Sequence, residues 1–292
     1  MTADGTGSTR SVVITGASTG IGEACALHLD QLGWRVFAGV RKDADGEALQ
    51  RKASARLMPV RIDVTDPASI ASAREIVAQE LGERGLDGLV NNAGIAVAAP
   101  LEFLPIDDLR RQLEVNVIGQ IAVTQAFLAP IRKARGRIVN IGSVSGRLAT
   151  PFTGPYSASK FAMEALTDAL RIELRPWKID VAIVEPGSVA TPIWEKGMAD
   201  ADRMEAQLPA EGHTLYDGAI KALRAFAEAT ANKGIPPAAV AKAVTHALTA
   251  KKPKTRYVVG FDASIQAKLG KFAPDRMRDG LIARQLKLPK KA

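Results

Sequence analysis

A single cysteine, Cys25, leaves this 292-residue chain without a partner for an internal disulfide, and suits a reducing, cytoplasmic compartment. Cys25 falls inside a helical pattern, where a packing role is expected rather than a reactive one. Histidine is almost as scarce. His28, His213 and His246 lie far apart in no ligand spacing, so no metal site is expected. Aromatic residues make up only 5% of the chain, and no basic stretch is interleaved with them, which argues against a nucleic-acid surface. No uninterrupted apolar run is long enough to span a bilayer. Residues 1–10 lack the apolar core of a secretory leader and are expected to form a short disordered lead. Acid is short at one end: residues 268–292 hold eight Lys/Arg against Asp275 and Asp279, and so carry six of the eight net positive charges. A solvated face, an anionic membrane surface and an oligomer contact are the readings open for that tail.

What the chain does have is hydrophobic residues, 47% of the total, enough for one large α/β domain. The segment SVVITGASTGIGEACALHL (11–29) is the most informative. Val12-Val13-Ile14 has the composition of a buried strand, and a helical pattern begins at Ala24, Leu27 and Leu29. Between them stand Gly16, Gly20 and Gly22. A strand that enters a helix through glycines brings backbone N–H groups against a phosphate.

Strand and helix patterns then alternate. Strands are expected within 34–40, 56–64, 86–94, 136–143, 178–187 and 255–260, and helices over 66–82, 107–134 and 155–175. Asp66 and Pro67 open the first of these helices as N-cap and first helical residue. Single strands separated by helical lengths predict a parallel sheet with right-handed crossovers and helices on both faces. Residues 188–235 break the rhythm, and 193–235 is expected to be a mobile lid on a domain spanning 11–260. In the tail, 261–292, Ile265, Leu269 and Phe272 repeat at helical spacing, as do Ile282 and Leu286. Two short helices packed on protein are expected there in preference to one lying on a membrane.

Three more motifs follow the glycine turn in order: NNAG (91–94), Ser143 after the fifth strand, and YSASK (156–160). Together with TGASTGIG (15–22) they resemble the classical branch of the short-chain dehydrogenase/reductase (SDR) family, over about residues 11–192. The chain is most similar to the steroid- and retinol-dehydrogenase-like members, through VFAGVR and the extended C-terminal region. The resemblance implies a Rossmann-type, doubly wound seven-stranded parallel sheet. It also implies an oxidoreductase acting on CH–OH groups with a nicotinamide cofactor.

The chemistry can be argued residue by residue. Tyr156 is the candidate proton donor and acceptor at the substrate oxygen. Lys160, one helical turn on, would bring the phenol toward neutrality and hold the cofactor ribose. Ser143 would hold the substrate oxygen, with Ser145 as its rival. Asn116 interrupts an apolar stripe made by Leu109, Leu113, Val123 and Phe127, beside Gln120. The family's pattern gives it a water linked to the lysine; a satisfied core asparagine is the alternative.

Gly16, Ser18, Thr19, Gly20, Ile21 and Gly22 are assigned to the pyrophosphate turn. Asp63 and Val64 are assigned to the adenine, and Asn91, Ala93 and Gly94 to the adenine ribose. Pro186, Gly187, Val189 and Thr191 take the carboxamide end. Gly39-Val40-Arg41-Lys42 offers no carboxylate for the ribose hydroxyls, and Arg41 can pair with a 2′-phosphate, so NADP is expected ahead of NAD. Leu148, Phe152, Trp194 and Met198 are expected to wall a pocket for a lipophilic alcohol or carbonyl compound. A homodimer or homotetramer through 107–134 and 155–175 is implied. A non-catalytic NADP-binding regulator and an NAD-preferring dehydrogenase are the alternatives.

Overall fold

The computed structural model describes residues 9–231 and 234–288, apart from the side chains of Trp194, Lys196 and 226–231. Seven strands form one parallel sheet: β1 (Ser11–Ile14), β2 (Arg35–Val40), β3 (Leu57–Arg61), β4 (Gly88–Asn91), β5 (Arg137–Ile141), β6 (Asp180–Pro186) and β7 (Arg256–Val259). Their order is β3-β2-β1-β4-β5-β6-β7. The reversal of direction between β1 and β4 opens a crevice at the carboxyl ends of the strands.

Alternation along each strand divides the core between two faces. Val12 and Ile14 pack with Val36, Ala38 and Val90 on one face, under α1 (Gly20–Gln31) and α9 (Pro237–Thr249). Val13, Phe37, Leu89 and Ile138 face the other way, toward α3 (Pro67–Leu81) and α5 (Gly119–Ala134). Side chains on both faces are buried, so the strands read as apolar runs. The N-terminus of α3 is built as its sequence suggests: Pro67 opens it, and Asp66 Oδ1 accepts from the Ala68 N–H at 2.9 Å.

Three regions differ from the sequence reading. The short helix α2 (Asp43–Gln50) follows β2, where no helix is expected; only Gly46 and Leu49 of it are buried. The helix expected over 107–134 is two helices, α4 (Ile106–Leu113) and α5, joined by a π-helical turn at Glu114–Ile118. Residues 193–231 are largely helical, α7 (Ile193–Glu205) and α8 (Ala210–Ala231), and the backbone returns to the sheet through a bridge between Val189 and Ile235.

The tail forms α10 (Phe261–Phe272) and α11 (Asp275–Gln285). Both pack inward, Ala263 and Ala267 on Val144, and Ile282 and Leu286 on Leu148. The helical faces expected there are only half buried, since Ile265 and Phe272 are 51% and 73% exposed. The remaining helix, α6 (Gly154–Glu173), carries the YSASK motif. No helix among the described residues is long and apolar enough to cross a membrane.

Candidate active site

One cavity of about 990 Å³ lies along the carboxyl ends of β1 to β6. At one end it is lined by Gly16, Ser18, Thr19, Gly20 and Ile21, with Arg41, Asp63 and Val64 beyond them. Ala93, Gly94 and Asn116 line the middle, with Ser143, Tyr156 and Lys160. Pro186, Gly187, Val189 and Thr191 line it after β6. The far wall is largely apolar, with Leu148, Phe152, Met198, Leu208, Leu269 and Leu286, but it also carries Glu205, Arg224, Gln266 and Gln285. The side chain of Trp194 lies outside the described residues.

The turn after β1 follows from its glycines. Gly16 has φ +64°, and a Cβ there would stand 2.9 Å from Ala93 Cα, so the turn and the NNAG segment touch. Gly22 does not line the cavity. A Cβ on it would meet Gly16 O at 2.2 Å, so its absence lets α1 press onto the turn. The Thr19 side chain makes no capping bond, and Gly20 and Ile21 at the amino end of α1 line the cavity.

The NNAG motif divides its work in a way that corrects the assignment of Asn91. Asn91 is buried and absent from the cavity wall; its amide donates to Thr124 Oγ1 at 2.8 Å and Asn140 Oδ1 at 2.9 Å, joining β4 to α5 and β5. Asn92 does line the cavity, and it staples the glycine turn. Its Nδ2 donates to Thr15 O at 2.9 Å and Gly16 O at 3.0 Å, while Thr15 Oγ1 accepts from the Asn92 and Ala93 N–H groups. Strand alternation is the signal for this split. Asn91 shares a face with Leu89, toward α5, so Asn92 must point the other way.

Asn116 sits in the π turn, fully buried. Its Oδ1 accepts from Ile95 N–H at 2.8 Å, and its Nδ2 donates to Ile95 O at 3.0 Å and Ser159 Oγ at 3.1 Å. Ser159 Oγ in turn donates to Tyr156 O at 2.7 Å. Asn116 is therefore a satisfied asparagine that also lines the cavity beside the helix of Tyr156 and Lys160.

Tyr156 and Lys160 lie one turn apart on α6, with Lys160 Nζ 5.6 Å from the Tyr156 ring centre. Lys160 is almost fully buried, and its Nζ donates to Ile141 O at 2.8 Å. Burial brings its ammonium down to about 8, and the charge of Glu164 opposes that. Burial also holds the Tyr156 phenol above its ordinary value, while the Ser143 hydroxyl pulls it down. Ser143 Oγ accepts from Ser145 N–H at 3.1 Å, which fixes it at the start of a single 3₁₀ turn, Val144–Gly146. Ser145 lines the cavity too.

Among the described residues no cluster of His, Cys, Asp and Glu is arranged to hold a metal ion. At the second-strand end, Arg41 is exposed, and its charge helps to hold the Asp63 carboxyl below the ordinary carboxylate range, after the Thr65 N–H bond. Asp45, in the first turn of α2, lines the cavity near them.

Comparison with known proteins places this geometry. Residues 10–202 match the family described as short chain dehydrogenase. The chain is 40% identical to human retinol dehydrogenase 5 over 288 residues, covering 96% of this chain and 90% of that one. It is 35% identical to the NADPH-dependent 3-dehydrocapnine reductase of Ornithobacterium rhinotracheale, covering 95% and 98%. Among solved structures, a short-chain dehydrogenase from Burkholderia cenocepacia in complex with NADP superposes with a TM-score of 0.70, at 27% identity, over 96% of this chain and 98% of that one. With its parallel sheet, glycine turn and Ser–Tyr–Lys constellation in one crevice, the chain belongs to the short-chain dehydrogenase family, oxidoreductases of CH–OH groups.

Proposed function

We propose that the protein is an NADP(H)-dependent oxidoreductase that interconverts an alcohol and a ketone or aldehyde on a lipophilic substrate, with Tyr156 as general acid and base. The observation that carries this is the single cavity in which a phosphate cradle, a Ser143–Tyr156–Lys160 group and a largely apolar wall are continuous. The uncapped amino end of α1 and the close glycine turn fit a pyrophosphate. Arg41 is placed to receive a 2′-phosphate, and Asp63 and Val64 to meet an adenine. Lys160 and the Pro186–Thr191 segment flank the nicotinamide end. The NADPH-dependent relative and the NADP-bound neighbour agree with that choice. Asp45 favours a second reading, an NAD preference, because it brings a carboxylate to the cavity wall with Arg41 and Lys42.

The cofactor, when bound, supplies or takes the hydride. The chain's own residues do the rest. Ser143 donates a hydrogen bond to the substrate oxygen and stabilises charge there. Tyr156 gives that oxygen a proton in reduction, and a phenol held above its ordinary value by burial is in the protonated form this needs. In oxidation the Lys160 ammonium lowers the cost of phenolate. Leu148, Phe152, Met198, Leu269 and Leu286 exclude water and accept an apolar chain or ring. We assign self-association to the helices around α5 and α6, where Ile118, Phe161 and Ile172 are 53%, 44% and 69% exposed.

The test is NADPH consumption over a panel of hydrophobic ketones and aldehydes, with Tyr156→Phe as the control. Turnover in the variant should fall by about 10²–10⁴-fold, while NADPH affinity stays within about twofold, because only a proton donor is lost. Wild-type turnover in Tyr156→Phe refutes the mechanism.

A further inference from the structure

A second constellation lies outside the cavity wall, where the segment carrying Ser143 meets α6, β6 and β7. Glu185, wholly buried in β6 just before Pro186, accepts two bonds at Oε1 from Arg147, from Nε at 3.0 Å and Nη2 at 2.7 Å. Glu164, one turn beyond Lys160, accepts at Oε2 from Arg256 Nε at 3.0 Å, and the same nitrogen is 3.5 Å from Glu185 Oε1. Arg256 Nη2 bonds Asp168 at 2.6 Å, and Arg171 also bonds Asp168. The other oxygens, Glu164 Oε1 and Glu185 Oε2, are buried with no partner. The two carboxyls converge on one Arg256 nitrogen, 3.0 Å from Glu164 and 3.5 Å from Glu185.

Two bare carboxylates in that position repel each other and leave two buried acceptors unsatisfied. One proton between them removes both costs. Arg147 belongs to the same short segment as Ser143 and Leu148. That segment rests on α6 so closely that a Cβ on Gly146 would stand 2.9 Å from Lys160 O.

We propose that Glu164 and Glu185 share one proton at neutral pH, and that this pair, through Arg147, positions the Ser143–Leu148 segment against the Tyr156 helix. Burial and the neighbouring Glu185 raise the Glu164 carboxyl to about 8, against the pull of Arg256. The charged groups facing it are Lys160 and Asp168 on α6, Arg147 from the segment, Glu185 on β6 and Arg256 on β7. The positioning half rests on the role proposed above for Ser143; the shared proton does not.

Because the native state then holds a proton that the unfolded chain releases above about 4.5, stability falls as pH rises from there to about 8. The experiment uses the full chain. Infrared spectra should show an un-ionised carboxyl at pH 7 that fades near pH 8 and is missing in Glu164→Gln. The thermal midpoint of the wild type should drop by about 4–8 °C between about pH 5 and pH 8, and that of Glu164→Gln should not. Absence of the carboxyl band at pH 7, or parallel thermal profiles, overturns the shared proton, and neither readout needs turnover. For the positioning half, Arg147→Lys keeps the charge and loses the two-bond fork, so kcat should fall about tenfold or more while NADPH affinity holds within about twofold. Glu164→Gln should restore kcat lost in Glu164→Ala. An Arg147→Lys variant with unchanged kcat, or no difference between the two Glu164 variants, overturns it.

Discussion

Arg41 and Lys160 are two cations in opposite settings, one exposed and one buried. Arg41 stands in solvent just after β2, near Asp63, and the NADP(H) proposal gives it a 2′-phosphate to pair with. Arg41→Asp should cost about 1.5–3 kcal/mol of NADPH affinity, roughly ten- to more than a hundredfold, and the ratio of NADPH to NADH dissociation constants reads it directly. Lys160 works from the interior. Its ammonium is displaced from 10.5 to about 8, so between those values the unfolded chain binds a proton that the native state lacks. Stability contributed by this group therefore rises with pH across about 8 to 10.5, opposite in sign to the Glu164 effect below 8. Lys160→Met should flatten the thermal midpoint over that alkaline range, measured by scanning calorimetry.

Among the elements, α11 has the least intrinsic reason to be where it is. Ile282 and Leu286 supply the buried contacts that hold it, and they meet Leu148 beside the cavity. Ile282→Ala should lower stability by about 2–3 kcal/mol and raise KM for an apolar substrate while leaving NADPH affinity intact. Denaturant unfolding and steady-state kinetics check the two parts.

The elements also show where sequence patterns carry and where they stop. The apolar stripe through Leu109, Leu113, Val123 and Phe127 announces a helix, but the step between 3.6 and a π turn leaves no mark in residue type. The break at Glu114–Ile118 is therefore invisible until the backbone is seen. Helix α2 is missed for a different reason. DADGEALQ buries only Gly46 and Leu49, and Gly46 packs where a Cβ would stand 2.8 Å from Pro59, so close approach replaces an apolar stripe.

At the scale of the molecule, the parallel sheet and its two-faced core are legible from run lengths and spacing, because a strand buried on both faces must be apolar throughout. The Ser143, Tyr156 and Lys160 positions are legible from ordered motifs, and the structure brings them to one crevice. Strand order is not legible, since β1 pairs with β2 and β4 alike through the same kind of residue. Nor is the Arg147–Glu185 contact, which joins residues 38 apart with no periodic trace. A lone buried Glu in an apolar strand, Glu185 before Pro186, is the one hint the sequence offers.

The staple of Asn92 across Thr15 and Gly16 has a consequence for the order of folding. The turn is written in residues 15–22, yet its carbonyls and hydroxyl find partners only in a segment about 77 residues later. Between them lie β2, β3 and the three helices α1, α2 and α3. The nascent βαβ unit can assemble its strands locally, but its cradle waits for β4 to dock beside β1. Affinity for the cofactor should thus emerge as a late, cooperative property of the chain, although the turn is synthesised well before the segment that closes it.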